Sequence, residues 1–308
     1  MREKMKNFSF TGNFKITSII VAVFVCVGLL GLILLPFGVQ WFNFDIDFVG
    51  GSTMQYELKV PVNSEVTKDV AAIVEEVSGK PASSVTKAGD SGTQVVIKCL
   101  ELDSETRDAI FDKVAEKYGL EITDCLKSDY VSASVGSDLR DKAIKASLIA
   151  VLLILVYITI RFEFRSGLAA IVALVHDLLV MLSMYIIFQI PFNMNFIAAA
   201  LTILGYSINA TIVVFDRIRE NKKKEMGKKT TFAAIVDKSI HQTMSRSINT
   251  TITTMVVMLC LLILGVSSIR NFAAPICVGV ICGCFSSVCI SGPVWNLLAT
   301  KKEEKTAK

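Results

Sequence analysis

Six stretches of this 308-residue chain are each apolar enough to cross a bilayer. A spanning helix needs about 20 such residues for roughly 30 Å of hydrocarbon, and this requirement constrains the fold more than any other feature of the sequence. The runs are Ile16 to Pro36, Ala143 to Ile160, Leu168 to Phe188, Asn195 to Phe215, Ile248 to Val266 and Phe272 to Leu298. With 52% hydrophobic and 19% charged residues and a positive mean hydropathy, the chain is too apolar for an ordinary soluble surface, so part of it faces lipid. The first run follows Arg2, Lys4 and Lys6, but no small-x-small cleavage site comes after it, which reads as an uncleaved anchor. Eight cysteines without a C-x-x-C pair, and only two histidines, argue against a disulfide-stapled secreted domain, a zinc ribbon or a redox dithiol.

Basic residues set the expected orientation. With both termini cytoplasmic, the inside segments hold 19 Lys and Arg, nine of them between Arg217 and Arg246, whereas the short loops at Gln189 to Met194 and Ser267 to Asn271 hold only Arg270. The positive-inside rule then places a 1–15 tail inside, a first helix over 16–36 and an extracytoplasmic domain over 37–141. Helices two to six follow within 142–298, interrupted by a cytoplasmic loop at 216–246, and a 299–308 tail lies inside.

The domain at 37–141 carries 19 acidic and 10 basic residues. That imbalance reads either as a solvated acidic surface or as an electrostatic partner site. Ser52 to Val60 alternates like a strand; Asn63 or Ser64 caps a helix to Val77; Ser84 to Lys87 and Thr93 to Leu100 form a hairpin through Gly89-Asp90-Ser91-Gly92. Asp103 or Ser104 caps a second helix, and Glu121 to Val131 closes as a strand. The order βαββαβ predicts an α+β, ferredoxin-like domain on a polytopic α-helical membrane protein. Cys99 and Cys125 fall on two of these strands, where a disulfide is compatible with an oxidising exterior.

Polar groups inside apolar runs mark the candidate site, since an ionisable side chain at the bilayer centre costs about 2.5–3.5 kcal/mol on insertion scales. His176 and Asp177 lie within the third run and read either as a packing pair or as a proton- or ion-handling pair. Asn209, with Ser207 and Thr211 around it, lies at a depth from which it can meet them, and Gly205 would allow close helix approach. The fifth run opens with Arg246, Asn249, Thr250 and Thr253 among seven hydroxyl residues between Thr243 and Thr254. Such hydroxyls either bond back to the preceding turn and bend the helix or line a wet cleft with Arg246 at its mouth. Gly279-x-x-x-Gly283, with Ser287 one turn on, is a small-residue packing stripe. Asp47, Gly50 and Gly51, in Asp45-Ile46-Asp47-Phe48-Val49-Gly50-Gly51, read mainly as a bend into the sheet, with Asp45 and Asp47 exposed, and secondarily as a substrate contact.

Taken in order, Phe44 to Ser52, Tyr157-Ile158-x-x-Arg161-Phe162-Glu163, Ala173-Leu174-Val175-His176-Asp177, Leu201 to Asn209 and Val214 to Asn221 resemble the SecF family of export subunits over nearly the whole chain. The resemblance implies kinship with the resistance-nodulation-division exporters, a SecD-like partner, and contact with the SecYEG channel, indirectly with SecA, and with translocating polypeptide. It also implies use of an ion gradient and a place in the bacterial cytoplasmic membrane. Two departures stand out. Ile208-Asn209-Ala210-Thr211 replaces the family's Ile-Asn-Asp-Thr, removing the carboxylate generally assigned to proton transfer, and Val131-Ser132-Ala133 replaces Val-Gly-Pro.

No Walker A sequence, Gly-rich nucleotide loop or Ser-His-Asp set is present, so neither an enzyme nor a cofactor or nucleic-acid partner is expected. The competing expectations are a half-exporter of lipids or small molecules and a scaffold subunit without energy coupling.

Overall fold

The computed structural model of the chain describes residues 9–34, 41–89, 91–225, 230–265 and 267–306. Arg2, Lys4, Lys6, Pro36, Phe37, Asp90, Val266 and the lysines at 228 and 229, on which parts of the topology reading rest, lie outside the described residues. Two compact units emerge, one of Phe44–Lys145 and one of Met1–Asn43 with Ala146–Lys308. The first helix, α1 (Phe14–Leu34), belongs to the latter.

The smaller unit opens with the four-residue helix α2 (Ile46–Val49). Asp45 caps it by accepting from the Ile46 amide at 3.1 Å, and forms an ion pair with Lys98 at 2.9 Å. Asp45 and Asp47, expected to be exposed, are therefore half-buried parts of this corner. Gly50 (φ 76°) ends α2 and Gly51 (φ 130°) starts β1 (Gly51–Glu57), both in backbone regions that other residues rarely enter. A Cβ on Gly50 would lie 2.6 Å from the Ala133 Cα, and one on Gly51 2.5 Å from the Cys99 carbonyl, so closeness demands glycine as well.

Beyond β1 come α3 (Ser64–Ser78), β2 (Ser84–Ala88), β3 (Gln94–Cys99), α4 (Ser104–Tyr118) and β4 (Cys125–Val131). Asn63 caps α3 through the Glu65 and Val66 amides, and Asp103 caps α4 through the Thr106 amide at 2.7 Å. The strand order is β2-β3-β1-β4 with every neighbouring pair antiparallel, so each helix joins two strands that sandwich a third. Alternation along β1 and β3 sends Met54, Tyr56, Val95 and Ile97 to one face, where Val70 and Val74 of α3 and Ile110 and Val114 of α4 cover them. Each fully buried side chain of this kind contributes about 1.5–3 kcal/mol.

Two strands are shorter than the alternation suggests. β1 stops at Glu57 because Lys59 takes a left-handed turn (φ 59°), and β4 is preceded by a 3-10 turn at Ile122–Asp124, closed by Asp124 accepting from the Glu121 amide at 2.7 Å. The disulfide is excluded by register. Cys99 pairs with Ser52 across β1 and Cys125 with Tyr56, on opposite sides of that strand and four residues apart along it, and both thiols are free.

The larger unit is a multi-pass helical bundle. After the residues of α5 (Ala133–Arg161) come α6 (Phe164–Phe188), α7 (Met194–Lys224), α8 (Phe232–Leu264) and α9 (Ser267–Ser286), then a π turn at Ser287–Ser291 and α10 (Gly292–Thr306). Among the described residues five helical segments are long and apolar enough to span, the last running through the π turn from Ile269 to Ala299. Within the 21 residues of α1, Ala22–Leu34 forms a shorter apolar helix.

Helix ends depart from the apolar runs because polar helix formers carry the helices past them. α5 begins ten residues before Ala143, and the 216–246 segment expected as a loop is mostly the end of α7 and the start of α8. The extensions of α7 and α8 are held by Asn221, which donates to Ser239 and Gln242 at 2.8 Å each, and by Trp295 packed between Phe215 and Phe232.

Small residues set the helix spacing in the bundle. Gly28 of α1 meets the Leu179 carbonyl of α6, Gly279 of α9 meets Ile203 of α7, and a Cβ on Gly283 would lie 3.1 Å from the Ser207 Cβ. Gly205, in contrast, has nothing within 4 Å of its virtual Cβ and brings no helix close within this chain.

Two outcomes follow from this packing. Burial pushes the Cys99 thiol up to about 11, so at pH 8 only about one in a thousand is thiolate. Alkylation of Cys99 in the folded protein should run about tenfold or more slower than that of the half-exposed Cys125, a difference that mass spectrometry reads and that denaturant should erase. Gly279→Val should overpack the α7–α9 contact and cost about 1–3 kcal/mol, seen as a lowered thermal midpoint in detergent, whereas Gly205→Ala should be close to neutral.

Candidate functional site

A stripe of Ser166, Ala169, Ala170, Ala173, Asp177 and Val180 repeats at three- and four-residue spacing and is the buried face of α6. That phase carries Asp177 to the bundle interior, where it is fully buried. It stands 13 residues from Phe164 and 11 from Phe188, about 20 Å and 16 Å from the two helix ends at 1.5 Å per residue. The helix begins four residues before the apolar run at Leu168, so its first residue lies farther from the carboxylate than the start of the run does.

Three donors converge on this carboxylate. His176 Nδ1 lies 2.9 Å from Oδ1, the Ser207 hydroxyl of α7 donates to Oδ2, and the Ser286 hydroxyl at the end of α9 donates to the same oxygen at 2.8 Å. Three helices are thereby joined through one acidic side chain. A buried carboxylate accepting several hydrogen bonds is stabilised in its charged form, while burial opposes that charge. His176 is itself buried, its ring 6.2 Å from that of Phe285, and its Nε2 has no hydrogen-bond partner among the described residues. With Nδ1 donating to Asp177, Nε2 of the neutral imidazole is left as an acceptor.

Ser286 was not singled out by sequence reasoning. Its signal is the continuation of Gly279 and Gly283 at seven residues, which puts it on the same face of α9, whereas Ser287 one position on donates to the Cys284 carbonyl at 2.9 Å.

Asn209 does not join the pair. Two residues of helix turn it about 200° from Ser207, and its side chain is exposed. It lines a different cleft with Ala210, Tyr206, Arg246, Ser247 and Thr250, with a volume of about 110 Å³, between α7 and α8. Thr211, one turn from Ser207, is buried with its hydroxyl unpartnered.

The hydroxyl-rich start of the fifth run is mostly satisfied by its own helix. Thr250 donates to the Arg246 carbonyl at 2.9 Å, Thr251 to Ser247 at 2.8 Å, and Thr253 and Thr254 to Thr250 at 2.9 and 3.0 Å. Asn249 is exposed, and Thr251 meets the Tyr206 hydroxyl at 2.8 Å. Among the described residues no cluster of three His, Cys, Asp or Glu could hold a metal.

Two motifs far apart in sequence meet at one end of the bundle. Arg161 forms an ion pair with Asp216 at 3.6 Å and Glu163 one with Lys222 at 3.2 Å, Arg219 donates to the Arg161 carbonyl at 3.4 Å, and the Phe162 and Phe215 rings meet edge to face at 6.0 Å. Arg217 donates to Gln242 at 2.6 Å, linking the same end to α8.

The known proteins that this chain resembles share a common description. The family profile "Protein export membrane protein SecD/SecF, C-terminal" matches residues 111–301. Protein translocase subunit SecF of Sebaldella termitidis is 39% identical over 273 residues, 87% of each chain, and that of Rickettsia bellii is 35% identical over 274 residues, again 87% of each. The crystal structure of SecDF from Thermus thermophilus, described as a translocon-associated membrane protein, superposes with a TM-score of 0.82 at 32% identity. It covers 96% of this chain but only 39% of its own length. SecDF in a super-membrane-facing form gives a TM-score of 0.67, covering 97% of this chain and 40% of that one. With 62% of the chain inside the family profile and close to 40% identity to a SecF over most of its length, the chain belongs to the SecD/SecF family of protein export membrane proteins.

Proposed function

We propose that this chain is an accessory subunit of the Sec protein-export machinery. It works beside a SecD-like partner and uses an ion gradient to help move polypeptide across the bacterial cytoplasmic membrane. Family membership supports the export role, and the SecDF likeness supports the SecD-like partner, since the chain corresponds to well under half of that longer protein. Contact with the SecYEG channel, indirectly with SecA, with the translocating polypeptide and with surrounding lipid belongs to the same reading.

One observation carries the coupling. Asp177 is a fully buried carboxylate about 16–20 Å from either end of its helix, in contact with a histidine whose second nitrogen is free. A proton placed on this pair changes the charge that Ser207 of α7 and Ser286 of α9 both hold, so protonation bears directly on how three helices pack. The polar cleft around Arg246 and Asn209 is the second element, facing outward from this chain.

A scaffold without energy coupling has its own supporting observation. Ala210 lines the cleft with Arg246 and brings no carboxylate to it, and three hydrogen bonds account for Asp177 as a structural tie. The half-exporter reading has no comparable feature. Orientation follows the basic residues: both termini inside, six spans counting α1, the Phe44–Lys145 unit outside and the α7–α8 connection inside.

Asp177→Asn is isosteric and should leave the protein folded and paired while abolishing gradient-dependent stimulation of export in vesicles. Full retention of that dependence would move the coupling to the partner. In a cysteine-depleted background, a cysteine at Ser91 should react with an impermeant reagent added to whole cells and one at Lys223 should not; the opposite pattern would invert the topology.

A further inference from the structure

Three arginines gather where α5 ends and α6 begins, and little of their charge is answered. The Arg161 and Arg219 guanidiniums lie 5.2 and 5.6 Å from the centre of one ring, that of Phe162. Arg219 also donates at 3.4 Å to the Arg161 carbonyl, one of the acceptors that the end of a helix leaves open. Arg165 stands in the first turn of α6. Among the described residues neither Arg165 nor Arg219 has a carboxylate partner, and Asp216 lies 3.6 Å from Arg161, beyond hydrogen-bond reach. Glu220 is taken by Arg217 and Lys224, which leaves Glu163, paired with Lys222, as the other acidic group at this place.

The surrounding side chains are those of a membrane boundary. Ile160 is 82% exposed and Phe164 75% exposed, on either side of Arg161-Phe162-Glu163. Farther along the same two helices, Ile154 and Leu155 of α5 and Ile171, Leu174 and Leu178 of α6 line an open groove that no polar atom faces. Ile171 is six residues past Arg165, about 9 Å, which falls inside the roughly 15 Å that one leaflet contributes to the hydrocarbon layer.

A cationic rim beside an aliphatic groove has the two chemistries of a phospholipid. Guanidinium forks match the oxygens of a phosphate, and the groove matches an acyl chain. The surplus of positive charge also selects among headgroups, because a zwitterionic one brings its own cation to the arginines and an acidic one does not. A soluble anion would use the rim alone and leave the groove without a role.

We propose that the α5–α6 turn and the end of α7 bind one anionic phospholipid, its phosphate held by Arg161, Arg165 and Arg219 and one acyl chain lying in the groove. The site involves neither Asp177 nor the cleft around Arg246. It holds for whichever leaflet meets this end of the bundle, so it rests on neither the coupling reading nor the orientation.

The test is native mass spectrometry of the full chain, alone and with its SecD-like partner, released from nanodiscs of phosphatidylcholine with phosphatidylglycerol as the minor component. One phosphatidylglycerol should stay bound in both preparations, enriched about tenfold over its share of the bilayer. Arg165→Gln with Arg219→Gln should cut that enrichment to about twofold or less, whereas Lys301→Gln with Lys302→Gln, which removes the same charge from α10, should leave it in place. Leu155→Trp, which fills the groove and changes no charge, should lower it as well. Equal losses in the two double variants would reveal a general attraction to basic residues and overturn the proposal. Retention unchanged by Leu155→Trp would overturn the seat of the acyl chain, and displacement by excess inorganic phosphate would make the rim a site for a soluble anion and overturn the lipid. Loss of the bound lipid in the paired preparation would overturn it too, by showing that the partner covers the surface. Because the readout is a ratio of two lipids retained by the same folded protein, a change in stability alone does not imitate the effect.

Discussion

A carboxylate in the interior of a membrane bundle has to be solvated by protein, and much of this bundle is arranged around that need. Asp177 obtains its donors from its own neighbour His176 and from Ser207 and Ser286 on two other helices. To deliver those hydroxyls α7 and α9 must lie close to α6 and to one another, which their small residues permit. Gly283 stands next to Ser207, and Gly279, one turn away, receives Ile203. Polar satisfaction and close packing are here a single constraint, since widening either contact would leave the acidic group with fewer donors in a medium that offers no water.

The smaller unit depends on a different constraint. Its sheet enters through two consecutive glycines pressed against Ala133 and the Cys99 carbonyl, so the corner where β1 starts also fixes where α5 starts. The chain turns into α5 directly after Ser132, with no proline at the turn. At the corner, Asp45 ties α2 to β3 through Lys98, which explains one acidic residue that looks solvent-directed in the sequence.

Elements with strong periodicity were legible: the caps at Asn63 and Asp103, the alternation of β1 and β3, and the apolar faces of α3 and α4 all sit where residue patterns place them. Helix ends were not, because Arg217, Glu220 and Lys224 sustain helix outside the apolar run through local ion pairs that a hydropathy window counts only as charge. The polar site was half legible. His176 and Asp177 stand out in an apolar run, but which hydroxyls reach them depends on helix phase: Ser207 and Asn209 look interchangeable by depth and differ by about 200° around α7. Ser286 was invisible for the opposite reason, being one serine among several in a helix whose packing face is fixed only by its neighbours.

The π turn at Ser287–Ser291 lets one continuous span serve two differently directed contacts. Nine residues of ideal α-helix separate Ser286 from Trp295, a rotation of about 180° that would aim them oppositely. The wider turn absorbs roughly one residue, leaving a difference of about 80°. Ser286 can then address Asp177 while Trp295 seats between Phe215 and Phe232. The irregularity acts as a phase corrector, holding one half of the last span against α6 through Ser286 and the other against α7 and α8 through Trp295.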